Sequence, residues 1–357
     1  MGALVGSIAV MFMPYVPELW MVVGLFWILD AAMNTAMEPY RALVGDKVNH
    51  EQRPLAYSLQ LFMVAAGQML AGLMPLIMIA FGVSIETDGK EIPEIVKYSF
   101  VVGVVVILIS TVWSFYTTDE LPPEDMEAFR ANQQHTSIAH VFKELWSALL
   151  EMPKSLKAIW WVKLVTWFAL PMMWQYLALS IARHVYNAPT PDSPGFVEGT
   201  AQVGMAFTVM NVTTVVMALV IVHFVKYLGD AKTYALFLLI GGVGFLSMQL
   251  TTDLTMTFAC MALVGVGWSA VMTIPFIITA DVTPAARVGV YMGLLNAMIC
   301  LPQIFEMVTI GFFYDSLLGS DPRNALALSG LLFVVGAALA LRIKSKPDHL
   351  INQEVSQ

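Results

Sequence analysis

Asp30, Asn34, Glu38 and Arg41 stand within an otherwise apolar stretch of the chain. At about 100° per helical residue, their spacing places the last three roughly 40°, 80° and 20° from Asp30, so all four share one helix face. Asp30 lies near the middle of the stretch, and Arg41 lies ~16 Å further along. An ionisable group inside hydrocarbon is expensive and invites a functional reading. Whether a carboxyl there holds its proton depends on the local dielectric and on neighbouring charge. Asp30 is therefore a candidate to load and unload a proton, with Arg41 as its counter-charge. The plainer alternatives are a structural carboxylate bonded to neighbouring helices and an arginine paired with Glu38 at the membrane edge.

A second set consists of neutral donors and aromatic faces. Trp167, Trp174 and Tyr176 fall in one apolar run, Asn211 in the next, and Asn296 and Gln303 in a later one, seven residues apart and so on a common face. Such a set grips an uncharged, hydroxyl-bearing ligand, although packing or an interfacial belt accounts for single aromatics equally well. Glu306 is a further intramembrane acid, suited to proton coupling or to a hydrogen bond between helices. Nowhere does a Gly-rich nucleotide loop, a metal-ligand cluster or a nucleophile triad occur, which argues against an ATP-driven pump, an enzyme or a cofactor. Cys260 and Cys300 sit inside apolar runs as small hydrophobes.

The elements that must position these residues follow from composition. Of 357 residues, 58% are hydrophobic and 12% charged, about half the charge of a soluble domain. Net charge is −8 with no basic block, so nucleic acid is not a partner. Apolar runs of membrane-crossing length lie near 19–40, 56–83, 97–117, 158–181, 201–227, 232–250, 255–280, 288–314 and 324–342. A shorter run, 2–15, ends at Pro14 and Pro17 and reads as a span lacking one end. The polar segment between the fourth and fifth full-length or partial spans, about 117–157, carries Ile138, Val141, Phe142, Leu145, Trp146, Leu149 and Leu150 at helical spacing, as an amphipathic helix on the inner leaflet or on the bundle would. With the spans alternating and the first directed outward, only Lys90, Lys97, Arg183 and Arg323 of the 18 basic residues fall outside. The positive-inside rule then places the C-terminus in the cytoplasm.

These residues also resemble a family. Ile28-Leu29-Asp30 followed by Pro39-Tyr40-Arg41-Ala42-Leu43 and Asp46 is similar to the fourth helix of the sucrose and maltose proton symporters, a branch of the major facilitator superfamily. Gly293-Leu294-Leu295-Asn296 continuing to Leu301-Pro302-Gln303 resembles their eleventh helix, and Thr273-Ile274-Pro275-Phe276 the one before it. Met152-Pro153-Lys154 with Trp161-Val162 and Thr166-Trp167 looks like the entry to the seventh helix of bacterial members. The stretch from His223 through Gly229, Asp230 and Lys232 resembles a gating loop of the superfamily. In plant members the seventh helix ends in a charged cluster of which Arg183 and Tyr186 match, whereas Leu179 and His184 stand where an Asp and a Glu are found. His184 could titrate near neutral pH.

The resemblance implies an all-α membrane protein of the major facilitator fold with about ten transmembrane helices, four plus six, lacking the first two of twelve. The expected divisions are a partial N-terminal bundle at 1–117, a cytoplasmic central loop at 118–157, a six-helix bundle at 158–342 and a tail at 343–357. It further implies proton-coupled symport of a disaccharide (maltose, sucrose or another α-glucoside) by a monomer in a bacterial inner membrane. Asp30 and Arg41 would couple the proton, and Asn34, Trp167, Arg183, Asn211, Asn296 and Gln303 would bind the sugar. A non-transporting, degenerate or fragmentary protein and a same-fold transporter of another solute remain the alternatives.

Overall fold

The computed structural model describes residues 1–83, 94–118, 138–283 and 287–343. A backbone in hydrocarbon has no water to bond, so each span must satisfy its polar groups internally, as a helix does. The helices are α1 (Gly2–Phe12), α2 (Leu19–Lys47), α3 (Arg53–Ala80), α4 (Glu94–Thr117), α5 (Ile138–Leu150), α6 (Lys154–His184), α7 (Phe196–Leu228), α8 (Asp230–Ser247), α9 (Leu254–Val282), α10 (Val288–Phe313) and α11 (Pro322–Ala340). Nine of the described helices are long and apolar enough to cross a membrane, and Gly2–Tyr15 is a shorter apolar one. Several run past the apolar stretches that mark them in the sequence. α6 begins at Lys154 and ends at His184, and α2 continues through Pro39 to Lys47. The helix persists where its polar ends leave the hydrocarbon.

The described chain forms two compact units, Met1–Leu43 with Leu70–Ala148, and Val44–Met69 with Leu149–Gln357. In the first unit α1 ends in a tight turn at Met13–Tyr15 that contains Pro14, as the sequence suggests. α1 packs on α4 and against α2. A Cβ at Gly2 would lie 2.5 Å from the Ala32 carbonyl oxygen, and one at Gly6 would strike Met33. These glycines therefore permit the close approach. The expected amphipathic helix is α5, where Trp146 and Leu150 are exposed.

In the second unit α6 packs on α7, α10 and α11, α8 on α9 and α11, and α9 on α7. Apolar side chains gain nothing by leaving lipid for another helix, so close backbone contact through small residues holds such bundles. Gly241 of α8 and Gly267 of α9 meet so closely that a Cβ on either would lie 3.0 Å from the other's Cα. Gly229, at φ +79°, ends α7 and admits the turn into α8. The N-terminal half of α3 belongs here as well. Arg53 Nη1 donates to the Ala280 carbonyl at 2.6 Å and pairs with Asp281 at 3.3 Å, while Tyr57 stacks on Phe276.

Candidate functional site

On the first unit the residues of the expected polar stripe fall in α2. Leu29, Ala32, Met33 and Ala36 face α1, and Asp30 and Asn34 lie roughly 100° and 140° round the helix from Leu29. Asp30 is exposed and Asn34 half-buried. The Asn34 amide donates to the Asp30 backbone carbonyl at 2.9 Å, which leaves the carboxylate of Asp30 out of that bond. The side chains of Glu38 and Arg41 lie outside the described residues.

The second unit gathers the aromatic set. Trp167 is buried at 4% exposure, and its ring meets Trp268 at 5.8 Å, which in turn meets Trp174 at 6.3 Å. Sequence spacing brings out Trp167 and Trp174 on one helix but not Trp268, which α9 supplies. The Trp167 indole nitrogen is buried with no acceptor. The Nζ of Lys163 lies 5.4 Å from the ring centres of both Trp167 and Phe276, and the side chain is fully buried. Lys163 stands about 13 Å from the start of α6, inside the apolar run 158–181.

Asn211 of α7 is 8% exposed, and its Oδ1 has no partner. One residue before it, the Met210 carbonyl lies at the crossing with α9, where Thr214 donates to the Gly265 carbonyl at 3.3 Å. That contact fixes the rotation of α7 and hence the aim of Asn211. Asn296 and Gln303 are half-buried on α10. Three residues beyond Gln303, Glu306 has no exposed surface and accepts a 3.0 Å bond from Gln175 of α6, while its Oε1 is without a partner.

The far end of α6 is tied to the turn after α10. Arg183 donates to the Ser320 carbonyl at 3.0 Å, His184 meets Asp321 at 2.8 Å, and Tyr314 stacks on Tyr176 with its hydroxyl donating to Ser320. Asp321 also caps α11 by accepting from the Arg323 backbone. Burial holds the Tyr314 phenol above its ordinary value, Arg183 pulls it partly back, and Asp321 and Asp315 push it further up. At the other end of the unit Arg287 bonds Glu151 at 2.6 Å, which holds the guanidinium above its ordinary range. Among the described residues no group of three or more His, Cys, Asp or Glu could hold a metal ion.

The sequence pattern of the Major Facilitator Superfamily matches residues 1–200 and 196–356. Sucrose transport protein SUT5 of Oryza sativa subsp. indica is 22% identical over 88% of this chain, which spans 64% of that protein's length. Among solved structures, the E. coli fucose:proton symporter FucP superposes with a TM-score of 0.65 at 13% identity, covering 95% of this chain and 81% of that one. The human organic anion transporter MFSD10 gives the same TM-score at 12% identity, over 95% and 75%.

Proposed function

The chain belongs to the Major Facilitator Superfamily, and from that premise we propose that it serves proton-coupled symport of a disaccharide such as maltose or sucrose. The observation that carries this reading is the likeness to sucrose transport proteins along 88% of the chain. The side chains support it. Trp167, Trp174 and Trp268 offer adjoining aromatic faces, and Asn211 and Trp167 each hold a buried polar atom that the protein leaves unbonded. A buried donor or acceptor without a partner costs about 1–3 kcal/mol, a cost that a ligand hydroxyl could relieve. Asn296 and Gln303 add neutral groups to the second unit, Arg183 stands at the far end of α6 bonded to the Ser320 carbonyl, and Asn34 is the neutral group of the first unit.

Transport proceeds by alternating access, in which loading of the proton and of the sugar together permits the change of face. Asp30 carries the proton, Arg41 is its counter-charge, and the protein acts as a monomer in the plasma membrane. The excess of basic residues on the inner side, fourteen against four, supports a cytoplasmic C-terminus. A second reading, transport of an organic anion, draws on the same buried Lys163 and on the fold shared with MFSD10.

Proteoliposomes carrying the full-length protein test the two. The symporter reading expects accumulation of labelled maltose or sucrose under an inward proton gradient, competed by other α-glucosides and abolished by a protonophore. Preference for a carboxylated or phosphorylated solute would overturn the sugar assignment and leave the transporter intact.

A further inference from the structure

Among the described residues of the second unit, Lys163 and Glu306 are acid or base side chains with 0% exposure that have no part in sugar recognition. Along α6, Lys163 and Gln175, the residue bonded to Glu306, are twelve positions or ~18 Å apart, so the two charges do not form one pair through that helix. Glu306 is the more informative. A carboxylate that serves only to join two helices is expected to have both oxygens engaged, because an unsatisfied buried oxygen is costly. Here Oε2 takes the Gln175 amide and Oε1 takes nothing. A proton on Oε1 would turn that oxygen into a donor and remove the buried charge, leaving the bond at Oε2 in place.

Among the described residues of the second unit no fixed cation takes the proton's place. From α6 the ionisable group nearest this level is Tyr176, stacked on Tyr314 of the following turn. Arg183 and His184 lie two turns beyond and are bound to Ser320 and Asp321. α9, the other helix packed on α10, carries only Cys260 and, at its far end, Asp281. α10 itself brings Tyr291 and Cys300, both toward its N-terminal side. We propose that Glu306 is a proton-binding acid of the C-terminal bundle, with Gln175 as its positioning residue, distinct from Asp30 on α2. This rests on the symporter reading for its purpose but not for its test.

The test is infrared difference spectroscopy of the full-length protein in lipid nanodiscs, titrated in pH and read at the carboxylic-acid carbonyl band. The wild type should show a titrating band that Asp30→Asn retains and Glu306→Gln loses. Gln175→Leu, which leaves the acid in place, should shift both the frequency and the midpoint of that band. Persistence of every titrating band in Glu306→Gln, or an unchanged band in Gln175→Leu, would overturn the proposal. The second variant decides the matter even if the first fails to fold. In proteoliposomes Glu306→Gln should lose proton-driven accumulation. If the wild type moves no sugar, the symport reading fails while the band still reports on Glu306.

Discussion

Gly265→Ala is expected to loosen the crossing of α7 and α9 that aims Asn211. The added Cβ would lie 2.5 Å from the Met210 carbonyl oxygen and 3.0 Å from Thr213 Cβ. Ordinary contact begins near 3.4 Å, and both obstacles belong to a packed helix, so the two backbones must separate by roughly 0.9 Å. Overpacking of this kind costs about 1–3 kcal/mol. Separation also stretches the 3.3 Å bond from Thr214 to the Gly265 carbonyl, a further ~0.5–1.5 kcal/mol. At about 2–4 °C per kcal/mol for a unit of this size, the thermal midpoint should fall by roughly 3–18 °C. Gly204→Ala on the same α7 is the control, since its Cβ would meet nothing within 4 Å and alanine favours a helix by up to ~1 kcal/mol. Thermal unfolding of the detergent-solubilised full-length protein, followed by tryptophan fluorescence, reads both. Equal midpoints for the two variants would show that the helices do not approach as described.

Asp30→Asn keeps size and hydrogen bonding but cannot titrate, so proton-driven uptake should collapse while sugar exchange survives; continued proton-dependent accumulation would make Asp30 structural. Asp321→Ala removes both the cap of α11 and the His184 contact and should lower stability by ~0.5–2 kcal/mol, whereas Asp321→Asn, which can still cap, should cost less. Because the folded chain holds the Tyr314 proton more tightly than the unfolded one, the unfolded state binds fewer protons above pH ~10. Stability should therefore fall as pH rises through that value, and Tyr314→Phe should flatten the fall in an alkaline denaturation series.

Apolar runs declare themselves because a span needs a fixed length of hydrocarbon, and all nine long helices coincide with runs visible in the sequence. What did not show was how each helix is turned about its axis. A segment apolar all round gives no polar side to orient it, so nothing in the sequence joins Gln175 to Glu306, 131 residues apart, or brings Trp268 to Trp167. Nor does a lone lysine in an apolar run announce that Phe276 of α9 lies against it. The helix that carries Asp30 and Asn34 was legible because an apolar run of that length must be helical. Glycine crossings such as Gly241 on Gly267 depend on two sequence positions at once, and single spacings do not reveal them.

The central claim is that sugar and proton enter together. In weakly buffered, de-energised vesicles containing the full-length protein, added maltose or sucrose should make the outer medium more alkaline as protons follow the sugar inward. The signal should vanish with a protonophore. Sugar entry with no change in external pH would contradict proton coupling.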